Sequence, residues 1–269
     1  MKKDFFIGID SDGTAFNSME IKHKKCFIPA MFEIWSDLDA EAAAAAEKIN
    51  LYSSTRGINR FSGLLLMFKF MQSKGIDVPD YSSFEMFMNS GTELSNDGLE
   101  QYLKNTNDSF SKEVLLWSKN ADEKFKIETQ HLKPFKYVKN ALKTACKYAD
   151  IAVISSASYD SLKKSWREGG IIQYVSHIMG QEQGAKTEQL KKLAQNSYNP
   201  DKILMIGDAP GDIKSAKAVG ALFYPILTNH EENSWKMFCD TAFEKFIAGV
   251  YKGDFENRLI SDFNSTFAN

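Results

Sequence analysis

From Pro134 onward the sequence alternates between short apolar runs and segments with helical spacing, and no other feature narrows the fold as much. Residues 137–149 (YVKNALKTACKYA) read as a helix and 151–155 (IAVIS) as a strand. A helix at 160–168, a short strand within 172–180, a helix at 186–195 and a strand at 202–207 follow. The series closes with a helix at 212–220, which has Asp212 near its start and Gly220 past its end, and a strand at 221–226. Strands joined through helices return in the same direction, so this pattern specifies a parallel sheet covered by helices.

The N-terminal run FFIGI (5–9) is apolar, short and stops at Asp10, which reads as a buried strand of that same sheet. Between them the character changes. Residues 18–130 are rich in Ala, Met, Phe, Lys and Glu, with apolar positions at helical spacing and few strand signals. DAEAAAAAEKINLY (39–52) has high helix propensity, and a second helix runs from Phe61 to Gln72 and stops near Gly75. The expected organisation is therefore a sheet domain made of 1–17 and 131–269, interrupted by an all-α insert at 18–130.

Bulk properties remove some function classes. A net charge of -2 exerts no long-range pull on nucleic acid or membrane, and no basic stripe or stacking motif is present. Cys26, Cys146 and Cys239 are scattered and lack metal-site spacing, which suits a reducing cytoplasm. The Phe5–Ile9 run is too short for a signal segment, and no stretch approaches the ~20 apolar residues of a membrane span. The expectation is a cytoplasmic protein with a small-molecule partner, no nucleic acid and no membrane.

Ligands of open parallel sheets gather at the carboxyl ends of strands. After the first strand come Asp10, Ser11, Asp12, Gly13 and Thr14. Ser155 and Ser156 follow the 151–155 strand, and Asp208 and Asp212 follow the 202–207 strand. Lys186 opens a helix after a turn containing Gly180 and Gly184. Taken singly, an Asp after a strand is usually a turn or cap residue and a Lys is usually a solvated charge. The set is different. The four fixed letters of Asp-x-Asp-Gly-Thr arise by chance on the order of once in a few hundred chains of this size, and here the other elements follow in order. Four carboxylates cannot share one sheet edge without protonation or a cation, and a single lysine does not balance them. Oxygen-only donors suit magnesium.

These residues resemble the haloacid dehalogenase superfamily, through FIGIDSDGT (6–14), VISSAS (153–158), the Lys186 turn and MIGDAPGD (205–212). The resemblance implies an α/β fold with a Rossmann-like parallel sheet core, three α/β/α layers, and an inserted all-α cap. It implies phosphoryl transfer in which Asp10 attacks phosphorus to give an aspartyl-phosphate. Asp12 would protonate the leaving oxygen and then activate water. Ser156, or Ser155 if the motif is read one residue earlier, would bind phosphoryl oxygens with nearby backbone N–H groups, Ala157 among the substrate-binding positions. Lys186 would balance charge. Mg2+ would sit on Asp10, the Asp12 carbonyl and Asp208, with Asp212 close by or acting through water. Dehalogenases of the superfamily lack an Asp at the position of Asp12, which disfavours carbon–halogen hydrolysis.

Two of the four arginines lie in STRGINRF (54–61), between two expected helices of the insert. In sugar-phosphate mutases of the superfamily a similar loop carries a substrate-gripping Arg. Arg60 looks like that residue, with Arg56 and Asn59 as further substrate-binding candidates. The aromatics of the tail, from Trp235 to Phe263, read as packing without chemistry. The activity implied is a Mg2+-dependent phosphatase for a small phosphorylated metabolite. The alternatives are a sugar-phosphate mutase, a phosphonate hydrolase that uses a cap lysine, or a non-catalytic phospho-ligand sensor.

Overall fold

A computed structural model describes residues 2–130 and 132–267. The chain divides into two compact units, Met1–Met19 with His131–Asn269, and Glu20–Gln130.

In the first unit, β1 (Phe5–Ile9), β2 (Ala149–Ile154), β3 (His177–Met179), β4 (Ile203–Gly207) and β5 (Leu222–Pro225) form one sheet in the order β3-β2-β1-β4-β5. Every pairing is parallel. The two-residue period of the strands sorts their side chains onto two faces. Ile7, Ile9, Ile151, Val153, Leu204 and Ile206 join one core cluster. Phe6, Ala152, Ile154, Ile203 and Met205 join the other. Helices cover both faces, so the three-layer α/β/α arrangement expected from the alternation is present. The tail completes it: Trp235, Phe238, Phe246 and Tyr251 pack into the first cluster and Phe263 into the second.

Element ends differ from the sequence reading where tertiary contacts decide. β2 begins at Ala149 rather than 151, because Ala149 and Asp150 pair with Phe5 and Phe6. The preceding helix accordingly ends at Ala145. The helix expected from 212 starts at Pro210, whose fixed φ and missing N–H are tolerated in a first turn. The segment 186–195 is α-helical over Lys186–Leu190 and π-helical over Lys191–Gln195.

The second unit is helical throughout. Its helices include Ile28–Ile34, Ala40–Leu51, Arg60–Ser73, Ser82–Met88, Asn96–Leu103 and Ser109–Glu128. Side-chain caps start several of them: the Asp39 carboxylate accepts from the Glu41 N–H at 2.8 Å, and Asn59 from the Phe61 N–H at 2.9 Å. Its core is unusually aromatic, with Phe27, Trp35, Phe61, Phe68, Phe84, Phe87, Phe110 and Trp117 buried together. Among the described residues, no helix is long and apolar enough to cross a membrane.

Candidate active site

The chain leaves β1 toward β2 and β3 and later returns to its other side as β4 and β5. The carboxyl ends of β1 and β4 therefore flank a topological switch point, where the sheet's own geometry opens a crevice. Asp10 and Asp208 are the residues that follow those two strands.

Asp10 is still held in register, its N–H donating to the Ile206 carbonyl at 3.0 Å. One of its carboxylate oxygens accepts from the Ser11 N–H at 2.7 Å. The other lies 2.7 Å from Lys186 Nζ. Lys186 Nζ also lies 2.7 Å from Asp212 Oδ1. Asp208 accepts from the Thr14 hydroxyl at 2.6 Å. Asp212, in the first turn of the helix Pro210–Ala218, uses its second oxygen to accept from the Ala209 N–H at 3.0 Å. A Cβ on residue 207 would stand 2.3 Å from Asp212 Cγ, so only glycine lets the carboxylate fold back against the end of β4. Thr187 and Ser215 hydroxyls, 3.1 Å apart, tie the lysine's helix to the aspartate's.

Oxygens of Asp10, Asp208 and Asp212 come within 4.8 Å of one another, and all three residues are buried. Three carboxylates against one ammonium leave an excess of negative charge when all are ionised. Burial pushes the Asp10 carboxyl up to about 8, a shift that Lys186 opposes and that Asp212 and Asp208 reinforce. Burial likewise raises Asp212, again against Lys186. For Lys186 burial works the other way, but Asp10 and Asp212 outweigh it and hold the ammonium above its ordinary range. An oxygen-only donor set with surplus negative charge in a buried crevice fits a hard divalent cation.

The remaining sequence candidates of this unit sit nearby in the chain. Asp12 is half-buried and accepts a hydrogen bond from the Ser18 hydroxyl. Ser155 is buried, and its hydroxyl accepts from the Ala157 N–H at 3.2 Å. Ser156 is exposed. The candidates of the second unit lie in its own packing. Arg56 is 3% exposed and donates to the Leu51 carbonyl at 2.8 Å. Arg60 pairs with Asp122 at 2.7 Å, donates to the Ser118 hydroxyl at 2.9 Å, and stacks 4.8 Å over the Phe27 ring. Asn59 caps the helix that Arg60 opens and donates to the Leu94 carbonyl.

Two braces of the Asp10 loop escaped the sequence reading. Trp166 Nε1 donates to the Ser11 hydroxyl at 3.0 Å, and Trp235 Nε1 donates to the Thr14 carbonyl at 2.8 Å. Neither indole carries a local signal, since each partner is more than 150 residues away in the chain.

A family model described as haloacid dehalogenase-like hydrolase matches residues 72–225. The chain belongs to this hydrolase family. The matched stretch contains Ser156, Lys186, Asp208 and Asp212 and leaves the hydrolase's Asp10 and Asp12 outside it. No curated protein sequence matches significantly. Solved structures do resemble it in fold. A Haemophilus somnus protein named as a predicted phosphoglycolate phosphatase has TM-score 0.56 at 13% identity, covering 85% of the hydrolase and 87% of itself. A Lactobacillus plantarum protein with the same provisional name has TM-score 0.51 at 12% identity, covering 87% and 91%. A Thermotoga maritima protein provisionally named a beta-phosphoglucomutase has TM-score 0.50 at 15% identity, covering 84% and 86%.

Proposed function

We propose that this hydrolase is a Mg2+-dependent phosphatase that cleaves a small phosphorylated metabolite through an aspartyl-phosphate. The observation that carries the proposal is the buried group of Asp10, Asp208 and Asp212 around Lys186 at the switch point of the sheet.

In this reading an oxygen of Asp10 attacks phosphorus. The new O–P bond forms as the ester O–P bond breaks, and Asp12 gives its proton to the departing oxygen. A water then attacks the phosphoryl group, Asp12 takes its proton, and orthophosphate leaves with Asp10 restored. Ser156, exposed on the loop after β2, holds phosphoryl oxygens together with neighbouring N–H groups, while the buried Ser155 shapes the loop. Lys186 keeps Asp10 oriented and balances charge gathering on the phosphoryl oxygens. Asp10, Asp208 and the Asp12 carbonyl would hold the metal, with Asp212 in reach. When bound, magnesium supplies the positive charge that lets Asp10 stay ionised near neutral pH and that stabilises the transferring oxygens.

Hydrolysis of a generic aryl phosphate should require Mg2+, and full activity after exhaustive chelation would refute the proposal. Calcium should inhibit, because its looser and larger coordination shell misplaces the nucleophile. Asp12→Ala should cost ~10²–10⁴-fold for esters with poor leaving groups and much less in the first step for good ones. Equal harm to both would remove the acid role. The names of the similar structures supply first substrates, 2-phosphoglycolate and a hexose 1-phosphate. Product analysis with the latter separates hydrolysis from transfer back to the sugar.

A further inference from the structure

Gln189 is fully buried, although nothing in the phosphatase chemistry above uses it. It lies one turn after Lys186 on the helix Lys186–Leu190, its own N–H donating to the Ala185 carbonyl. Its side-chain amide is fully engaged. The oxygen accepts from the Ser155 N–H at 3.1 Å. The nitrogen shares its two hydrogens among the carbonyls of Ser155 at 2.9 Å, Gly180 at 2.8 Å and Gly184 at 2.8 Å.

The pairing with Ser155 has the form of a backbone ladder. β2 and β3 run side by side as far as Ile154 and Met179, and the Ser155 N–H still reaches the Met179 carbonyl at 3.1 Å. There β3 stops. The Gln189 amide then gives the Ser155 N–H a second acceptor, shared with Met179, and gives the Ser155 carbonyl the donor that a continuing strand would supply. It thereby carries the order of the sheet one residue past its edge, up to the residue before Ser156. The same nitrogen reaches the carbonyls at both ends of the turn Gly180–Gly184, which leads into Lys186. The two loops also touch directly: the Gln181 N–H donates to the Ala157 carbonyl at 2.9 Å. A Cβ on residue 180 would stand 2.6 Å from the Tyr159 nitrogen and 2.8 Å from the Ala157 oxygen. Only a glycine allows that seam.

We infer that Gln189 is a positioning residue of the active site, holding the loop that carries Ser156 against the turn that leads into Lys186. It acts through those two residues and touches no reacting atom. The inference deepens the phosphatase reading and rests on it for the roles of Ser156 and Lys186. It belongs to this chain's own hydrogen bonds, since a single amide spans both loops.

The test uses Gln189→Met, which keeps length and loses every hydrogen bond, and Gln189→Glu, which keeps shape and the acceptor. With saturating Mg2+ and an aryl phosphate, each should raise KM for the ester and Ki for orthophosphate, by about tenfold or more in the Met variant. Added to Ser156→Ala, Gln189→Met should cost about tenfold less than the product of the two single losses, because both act on one contact. Amide hydrogen exchange should speed up at 155–158 and 180–186 together, with β1 and β4 unchanged. Multiplicative losses, or exchange that changes in neither loop, would overturn the inference. So would general loosening of the sheet in both variants, which would make Gln189 a residue of the fold alone. A wild-type enzyme that hydrolyses no phosphate ester would sink the phosphatase reading separately. The exchange comparison would then decide whether Gln189 couples the loops.

Discussion

In the sheet unit, Asp10, Asp208 and Asp212 are buried around Lys186, and burial drives Asp10 up to about 8. In the helical unit, the half-buried charge of Arg60 is matched. Arg60 meets Asp122, Asp122 accepts in turn from Asn96 at 2.9 Å, the Ser118 hydroxyl bridges Arg60 and Asn96, and Phe27 lies under the guanidinium. Both sites desolvate charge; at Arg60 one cation meets one anion, whereas in the sheet unit three clustered aspartates outnumber Lys186. A balanced network closes a fold. An unbalanced one weakens the fold and is the arrangement expected where a charged ligand will restore the balance.

The largest effect should come from Asp10→Asn, which removes the proposed nucleophile and should abolish turnover and phosphoenzyme formation. The same variant tests the imbalance. Because the folded-state value of Asp10 lies above its ordinary 3.8, at about 8, the folded protein binds more protons than the unfolded one between those limits. Metal-free wild type should therefore lose stability as pH rises from about 4 to about 8. Thermal unfolding in a chelator should show that slope, and Asp10→Asn should flatten it. An equal slope in both would mean that Asp10 does not carry the burial penalty. Next in size is Lys186→Met, which leaves the buried carboxylates of Asp10 and Asp212 without their ammonium. Breaking a buried pair costs about 3–5 kcal/mol, and Mg2+ should recover part of it in denaturant melts. A loss that Mg2+ does not reduce would break the link between the cluster and a cation.

In the helical unit the effects should be smaller and mainly on stability. Arg60→Ala removes hydrogen bonds between charged groups, worth about 1.5–3 kcal/mol, and Asp122→Asn should reproduce most of that loss. Kinetics then sharpen the comparison. If Arg60 also grips the distal end of the substrate, Arg60→Ala alone should lower kcat/KM for the physiological substrate while sparing aryl phosphates. If Asp122→Asn lowers it equally, Arg60 serves packing alone. The smallest effect should be that of Asn59→Ala, which removes a helix cap worth about 1 kcal/mol. Its denaturation midpoint should fall with aryl phosphate turnover unchanged.

The sheet was legible because its signal is local. FFIGI, IAVIS and KILMIG are apolar runs whose length and flanks specify buried strands, and parallel connection by helices specifies their direction. The carboxyl-end rule points to Asp10 and Asp208, and the glycine turn before a helix points to Lys186. Element ends were less legible: β2 starts at Ala149 because Phe5 and Phe6 stand beside it, a fact of pairing and not of propensity. The tail illustrates the limit. Trp235 reads as packing, and it does pack, yet its indole N–H also holds the Thr14 carbonyl.

What the sequence by itself determined is the alternation that makes a parallel sheet, the helical insert, and the residue types at each strand end. Hydrophobic period and chain connectivity specify these, and both are written locally. What only the tertiary structure decided is which groups share one buried space and what that space does to them. The excess charge around Lys186, the raised Asp10, the indoles that brace its loop and the Gln189 amide that joins two turns all depend on desolvation and on contacts across long stretches of chain. Those are properties of distance and solvent exclusion, and neither exists until the chain has folded.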